Sequence, residues 1–291
     1  MLHDGSRCWL TRRGAKCHQR DPVRELECRE NPRLCARTQT GTFAAMSRLA
    51  LPIILLFALV LRVAYLLEQQ ATSPLFFQFL LDEQEMVTTA RQLLATGSFG
   101  PEPFFKAPLY PMILAGVMAV FGDAWPFMMR LLQHLLGVGL VALGFTLART
   151  LAGPGHRGLL AAIAAGLLLA FNGPLIRQEH QILLDFPAMA AGCGFLATLL
   201  WFLAAPTRAA RRRLLLLAGV AAAVAWLLRP SMTIVLPAMA IVILLMRQSR
   251  PRLASAALLL APLGITVALF AGRNFLASGE PLLLPWQGGF S

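Results

Sequence analysis

Asp82 and Glu83 stand side by side in the polar break that follows the first apolar run. At a membrane surface such a pair is either a general base with its neighbour or the ordinary cap of the helix that follows. Asp185 lies at the mouth of a later apolar run, two residues before Pro187, where an unpaired charge is costly. It is either a site carboxylate, a partner for Arg177, or the cap of its own helix. Of the 26 basic residues only Lys16 and Lys106 are lysine. Lys106 falls in the string Phe104-Phe105-Lys106-Ala107-Pro108-Leu109-Tyr110-Pro111, whose aromatic residues suit a headgroup layer. It is either an anchor snorkelling to the interface or a cation poised for a lipid phosphate. Arg130 is a second candidate for such a phosphate; Arg229 and Arg273, at the ends of apolar runs, either join it or simply end their helices.

Composition says what solvates the elements that must position these residues. Hydrophobic residues make up 57% and charged residues 14% of the 291-residue chain, with a mean hydropathy of +0.64, too little polar surface to coat a water-soluble globule of this size. The apolar residues gather in runs of about 15 to 25, the length of a helical crossing and not of the alternating segments of a barrel. The reading is an all-α, polytopic transmembrane helical bundle with spans over 49–67, 127–148, 158–176, 186–205, 214–228, 232–246 and 254–271, seven crossings in all. The stretch 109–121 is apolar but short for a crossing and reads as an interfacial or re-entrant helix. The run 214–246 is too long for one helix and is expected to turn at Arg229-Pro230-Ser231.

The basic breaks at Arg48, at Arg149 and Arg157, from Arg208 to Arg213, and from Arg247 to Arg252 alternate with the other loops, which assigns them and the N-terminus to the cytoplasm. Glu68, Asp82, Glu83, Glu85, Glu102, Asp123, Glu179, Asp185 and Glu280 then all fall on the outer side or at its membrane boundary, and their one-sidedness points to outward chemistry. The segment Asp82–Thr96 reads as an amphipathic helix on the membrane surface, with Met86, Ala90, Leu93 and Leu94 on its apolar side and Gly97 ending it. Its N-terminal dipole favours the carboxylates of Asp82 and Glu83.

The net charge of +12 does not signal nucleic acid, because the arginines sit in short clusters between apolar runs with no interleaved aromatics. Cys8, Cys17, Cys28 and Cys35 lack the paired spacings of a zinc site and Cys193 stands alone, so no metal site is expected. Residues 1–45 form a basic leader, expected to be a disordered extension or an over-called start, since Met46-Ser47-Arg48 before Leu49 looks like a natural beginning.

The order of the pieces is more specific than any one of them. An Asp-Glu pair in the first outer loop, a helix ending in Gly97, and the string Phe104 to Pro111 come first. Arg130-Leu131-Leu132-Gln133, Leu184-Asp185-Phe186-Pro187 and Leu228-Arg229-Pro230-Ser231 follow. Arg273-Asn274, Ser278-Gly279-Glu280 and Gln287-Gly288-Gly289-Phe290 close the series. Together they resemble the dolichyl-phosphate-mannose protein mannosyltransferases and aminoarabinose transferases of the glycosyltransferase C superfamily, over residues 46–291. The resemblance implies a glycosyltransferase that moves a sugar from a polyprenyl-phosphate donor to a lipid, glycan or protein acceptor on the outer side of a bacterial inner membrane. It implies Asp82 as catalytic base with Glu83 beside it, Lys106 as the contact to the donor phosphate, and Asp185 as the second acid of the outer site. Arg130 and Arg229 extend the phosphate-binding set. Aminoarabinose transferases carry an acidic residue just before that lysine, implicated in metal binding; here it is Phe105, so no cofactor is expected. Such enzymes continue with further spans, so residues 46–291 are expected to represent their N-terminal membrane region.

Two other classes fit an arginine-bounded bundle: a transporter or lipid flippase, and a non-catalytic remnant. Transporters place polar groups in mid-membrane at broken helices, often with internal repeats. Arg62 and His134 are the main polar interruptions here, and no repeat is evident.

Overall fold

The computed structural model describes residues 32–231, 235–245, 252–279, 282, 283 and 285. Among them the chain forms α1 (Pro32–Thr72), α2 (Asp82–Thr96), α3 (Leu109–Phe121), a 3-10 turn (Gly122–Ala124), α4 (Trp125–Ala152), α5 (His156–Ala170), α6 (Gly173–His180), α7 (Asp185–Ala204), α8 (Arg208–Leu228), α9 (Val235–Leu245) and α10 (Arg252–Ser278), with no strand. The all-α expectation holds. Residues 1–31 of the expected leader and the segment Gln287 to Phe290 lie outside the described residues, and α1 begins within the stretch read as leader. Residues 53–291 form one compact unit, which holds the site.

The side chains of α1 identify its solvent. Ile54, Ala58, Arg62 and Leu66, spaced four apart, are its buried stripe, while Ile53, Leu56, Phe57, Val60 and Leu67 are exposed. A helix in water turns its polar residues outward. Here apolar side chains lie outside and an arginine inside, so the surrounding medium is lipid.

Against the seven crossings expected, four stretches among the described residues are long and apolar enough to cross a bilayer: Leu49–Thr72, Leu109–Ala152, Asp185–Ala204 and Ala254–Ser278. The pair α5 and α6, bent by 51° at its break, makes a fifth if it counts as one span. α8 falls short because Arg211, Arg212 and Arg213 lie within its first two turns and leave only 214–228 apolar. α9, with 11 described residues, is shorter than the ~20 a crossing needs. The break expected at Arg229-Pro230-Ser231 is present, since α8 ends at Leu228.

Leu109–Ala152 is a run of 44 residues, but it is not one rod. As a straight helix it would be about 66 Å long. Tyr110 Oη donates to Gln133 Oε1 at 2.8 Å, so the start of α3 lies beside α4 well after the turn that joins them. The reversal comes at Gly122, whose φ of 51° is disfavoured for any residue with a Cβ. α3 is therefore a short helix folded back on α4 and packed against α2.

Two of the buried apolar clusters set the architecture around the site. One joins α7, α8, α9 and α10 through Phe195, Phe202, Leu215, Trp226, Met239 and Phe270. Within it α8 comes so close to α10 that a Cβ on Gly219 would lie 2.5 Å from the Leu259 carbonyl oxygen. Small residues at such crossings are how membrane helices pack without a hydrophobic driving force. The other core holds α2 against α3 and α4 through Met86, Ala90, Tyr110, Leu114, Trp125 and Met129, and it positions the site. α2 has the bounds expected, with Gly97 left-handed at φ 69° and its N–H donating to the Leu93 carbonyl. Val87 is buried, whereas Leu94 is 46% exposed. Leu94 lies on nearly the same azimuth as Val87 but seven residues nearer the helix end, so azimuth alone misassigns it.

Glu179, grouped with the outer acids by the sequence, is completely buried. Arg62 Nε and Nη2 donate to its two carboxylate oxygens at 2.7 Å each, and His134 Nδ1 lies 3.0 Å from Oε2. Gly137 leaves the space, since a Cβ there would lie 2.2 Å from Glu179 Oε1. An isolated buried arginine is costly in a membrane, and bidentate pairing offsets that cost. The polar groups on which a transporter reading would rest are thus spent on tying α1, α4 and α6 together.

Candidate active site

α2 starts under strain. Leu81, just before it, has φ 52° and ψ −119° and is the one non-glycine residue with positive φ among those described. Such a conformation costs about 1–3 kcal/mol and is found where surrounding structure enforces it, often at sites. Leu81 takes the cap position with no side-chain cap hydrogen bond, so Asp82 is the first helical residue and its carboxylate is not a cap.

That carboxylate meets Lys106 instead. Lys106 Nζ donates to Asp82 Oδ1 at 2.7 Å and lies 2.5 Å from Glu85 Oε2. Asp82 and Glu85 are three residues apart on one helix face, so a single cation can bridge them. The Asp82 side chain is 70% exposed and that of Lys106 12%, which leaves the acid open to a ligand and the cation held from below. Burial by itself pulls the Lys106 ammonium down, but the hydrogen bonds and charges of Asp82 and Glu85 outweigh it and raise its pKa above the ordinary 10.5.

The end of α10 holds the loop that carries Lys106. Arg273 Nη2 donates to the Gly100 carbonyl at 2.8 Å and Nη1 to the Glu102 carbonyl at 2.5 Å, and its guanidinium stacks 4.1 Å above the Phe104 ring. Asn274, fully buried, accepts from the Phe104 N–H at 3.1 Å and donates to the Leu282 carbonyl at 3.1 Å. Arg273 is therefore committed to the loop.

Across the cavity, Asp185 in the first turn of α7 pairs with Arg229 just past the end of α8. Arg177, the partner suggested by sequence, is not the one used. Arg229 Nε also donates to Ser231 Oγ at 3.1 Å. Asp82, Lys106, Asp185 and Arg229 line one cavity of about 350 Å³ with Met86, Phe105, Leu184, Leu228 and Pro285 among its apolar residues. Two cations, each on a carboxylate, beside an apolar wall can take an anionic headgroup that carries a hydrocarbon chain.

Two predicted site residues lie elsewhere. Glu83 accepts from the Ile182 N–H at 3.0 Å, which braces the start of α2. Arg130 is 2% exposed; its Nε donates to the His180 carbonyl and its Nη1 to the Pro126 carbonyl, both at 3.1 Å, and its guanidinium lies 4.3 Å from the Phe76 ring centre. Both border a second cavity of about 380 Å³, which meets the first at Asp82 and Leu183. Sequence reasoning missed Glu85 as a site residue, although its spacing from Asp82 was a sufficient signal. It missed the role of Asn274, for which no local signal exists. Among the described residues no three metal-ligating side chains converge.

A family model described as dolichyl-phosphate-mannose-protein mannosyltransferase matches residues 105–272, more than half of the 291-residue chain. No curated protein and no solved structure is significantly similar to the chain. The matched segment contains Lys106, Arg130, Asp185 and Arg229 and begins after Asp82, Glu83 and Glu85. A lipid-facing helical bundle whose paired cations Lys106 and Arg229 lie inside that segment is a membrane glycosyltransferase of the mannosyltransferase type, and the chain belongs to the dolichyl-phosphate-mannose-protein mannosyltransferase family.

Proposed function

We propose that this chain transfers a sugar from a polyprenyl-phosphate donor to a hydroxyl of a lipid, glycan or protein acceptor, in the cavity between Asp82, Lys106, Asp185 and Arg229. The observation that carries the reading is the 2.7 Å contact between Lys106 and Asp82, which puts a phosphate-binding cation and a base in one cavity. Lys106 and Arg229 hold the lipid phosphate, and the polyprenyl chain lies along Phe105, Leu184 and Pro285. The acceptor oxygen attacks the anomeric carbon with inversion, the bond to the phosphate oxygen breaks, and the electron pair leaves on the lipid phosphate. Help is needed chiefly at the nucleophile, where Asp82 takes the proton as the bond forms; base catalysis of this kind is worth about 10²- to 10⁴-fold. A donor phosphate that draws Lys106 away from Asp82 frees the carboxylate for that role. Asp185 is a positioning residue that orients Arg229, and Glu83 is one that anchors the start of α2.

We assign the site to the outer face of a bacterial inner membrane and the N-terminus to the cytoplasm, because arginine-rich breaks mark the cytoplasmic side and alternate along the sequence with the segments that carry Asp82 and Asp185. Cysteines placed at 83 and 210 should react with an impermeant reagent from opposite sides; reaction from the same side removes the outward site. The central test is Asp82→Asn. Asp82 is not a cap, so the substitution removes the base without removing a cap, and it should abolish transfer while donor binding remains. Transfer at the wild-type rate by a folded Asp82→Asn chain would sink the mechanism.

A further inference from the structure

A second cavity adjoins the first at Asp82 and Leu183 and is bordered by neither Lys106 nor Arg229. We propose that it is the acceptor site, that it takes an acceptor bearing a phosphate near its reactive hydroxyl, and that Arg177 is the residue that binds that phosphate. The inference rests on the transferase reading of the first cavity.

Displacement with inversion brings the nucleophile in opposite the leaving group. Donor phosphate and acceptor oxygen must therefore lie on opposite faces of the anomeric carbon, with the base beside the acceptor. The two cavities meet at Asp82 and Leu183; Lys106 and Arg229 border the first, and Arg177 borders the second. The second adds amide and hydroxyl side chains, Gln69, Ser73, Gln78 and Gln181 among them, which can hydrogen-bond a headgroup, to apolar residues such as Leu75, Phe76 and Leu80.

Charge then selects the chemistry. Four charged side chains border this cavity. Asp82 is held by Lys106, Glu83 accepts from the Ile182 N–H, and Arg130 is bound to two backbone carbonyls and stacked on Phe76. Arg177 is exposed, and neither an ion pair nor a hydrogen bond engages its side chain among the described residues; Asp185 is taken by Arg229. A free guanidinium beside a polar cavity is a fork for phosphate. With the acceptor phosphate on Arg177, its hydroxyl proton passes to Asp82 while its oxygen bonds to the anomeric carbon.

The test uses the full chain carrying Ser73→Cys, reconstituted in phosphatidylcholine vesicles, with N-ethylmaleimide labelling at position 73 read by peptide mass spectrometry. Ser73 borders the second cavity, and among the described residues its hydrogen bonds, to Gln69 and from Phe76, are made by its backbone, so the side chain is replaceable. Two probes carry phosphate beside a hydroxyl: soluble glycerol 3-phosphate, and phosphatidylglycerol in the vesicle. Protection by the soluble probe identifies a water-soluble or glycan phosphate, protection by the lipid alone a headgroup, and glycerol should protect in neither case. Arg177→Gln should weaken protection roughly tenfold or more, the loss expected of a charge-assisted hydrogen bond, while Arg177→Lys keeps part of it and Lys106→Met leaves it unchanged. No protection by either probe, protection indifferent to Arg177→Gln, or protection lost equally in Lys106→Met overturns the proposal. Titration of the polyprenyl-phosphate sugar on the same samples keeps the two readings apart: Lys106-dependent donor binding without protection at 73 refutes only the acceptor site, whereas donor binding indifferent to Lys106→Met refutes the donor cavity.

Discussion

Asn274→Ala should weaken donor binding although Asn274 touches no substrate. The side chain is fully buried and serves two other segments, accepting from the Phe104 N–H and donating to the Leu282 carbonyl at 3.1 Å each. A net hydrogen bond contributes about 0.5–1.5 kcal/mol, so the two together supply about 2 kcal/mol. Losing that amount lowers the ratio of docked to undocked loop about 30-fold. Arg273 still holds Gly100, Glu102 and the Phe104 ring, so the loop is loosened and not released. Lys106 lies two residues beyond Phe104, and its seat between Asp82 and Glu85 exists only while the loop is docked. Apparent affinity falls with the competent fraction, so the donor Kd and KM should rise, by at most about 30-fold. At saturating donor the bound complex restores docking, and kcat should stay near wild type. Donor titration and steady-state kinetics on the purified chain, with thermal unfolding in the same detergent, give all three quantities. An unchanged donor Kd, or a loss of kcat at constant KM, would refute the claim that α10 positions Lys106.

Glu179→Gln leaves Arg62 buried without its counter-charge and should destabilise the bundle by about 3–5 kcal/mol, seen as a lower unfolding midpoint in detergent. Gly137→Ala should act the same way, because its Cβ would meet a pinned carboxylate, whereas Gly144→Ala meets only the flexible end of Leu169 and should be mild; equal losses from the two would refute the space argument. Asp185→Asn breaks a half-exposed pair and should change stability by no more than about 1 kcal/mol. For Lys106 the folded pKa is raised, so its stabilising contribution is complete below 10.5, the unfolded value, and is lost as pH climbs through the higher folded value. Donor affinity should accordingly be flat from about pH 7 to 9 as far as this cation is concerned; a fall in that window that vanishes in Lys106→Met would show an ammonium with a lowered pKa.

Features set by neighbours within one helical turn were legible in the sequence. The bounds of α2 follow from an apolar stripe at helical spacing and from Gly97, which alone tolerates the left-handed turn that stops it. The lipid-facing character of α1 follows from composition, and the break after Leu228 from Arg229-Pro230. The candidate acids and cations could be named because a charge in an apolar chain is costly wherever it lies. How they pair could not be named, because periodicity carries no information about a partner beyond about one turn. Asp82 and Lys106 are separated by 24 residues, Arg62 and Glu179 by 117, and Phe104 and Asn274 by 170. Only the approach of separate helices decides that Asp185 faces Arg229 and not Arg177, that Glu179 is sealed inside and not on the outer face, and that Arg130 is spent on backbone carbonyls. Those approaches depend on shape, such as the room that Gly137 leaves for a carboxylate and Gly219 for a carbonyl, and shape at a helix crossing is a property of two surfaces at once.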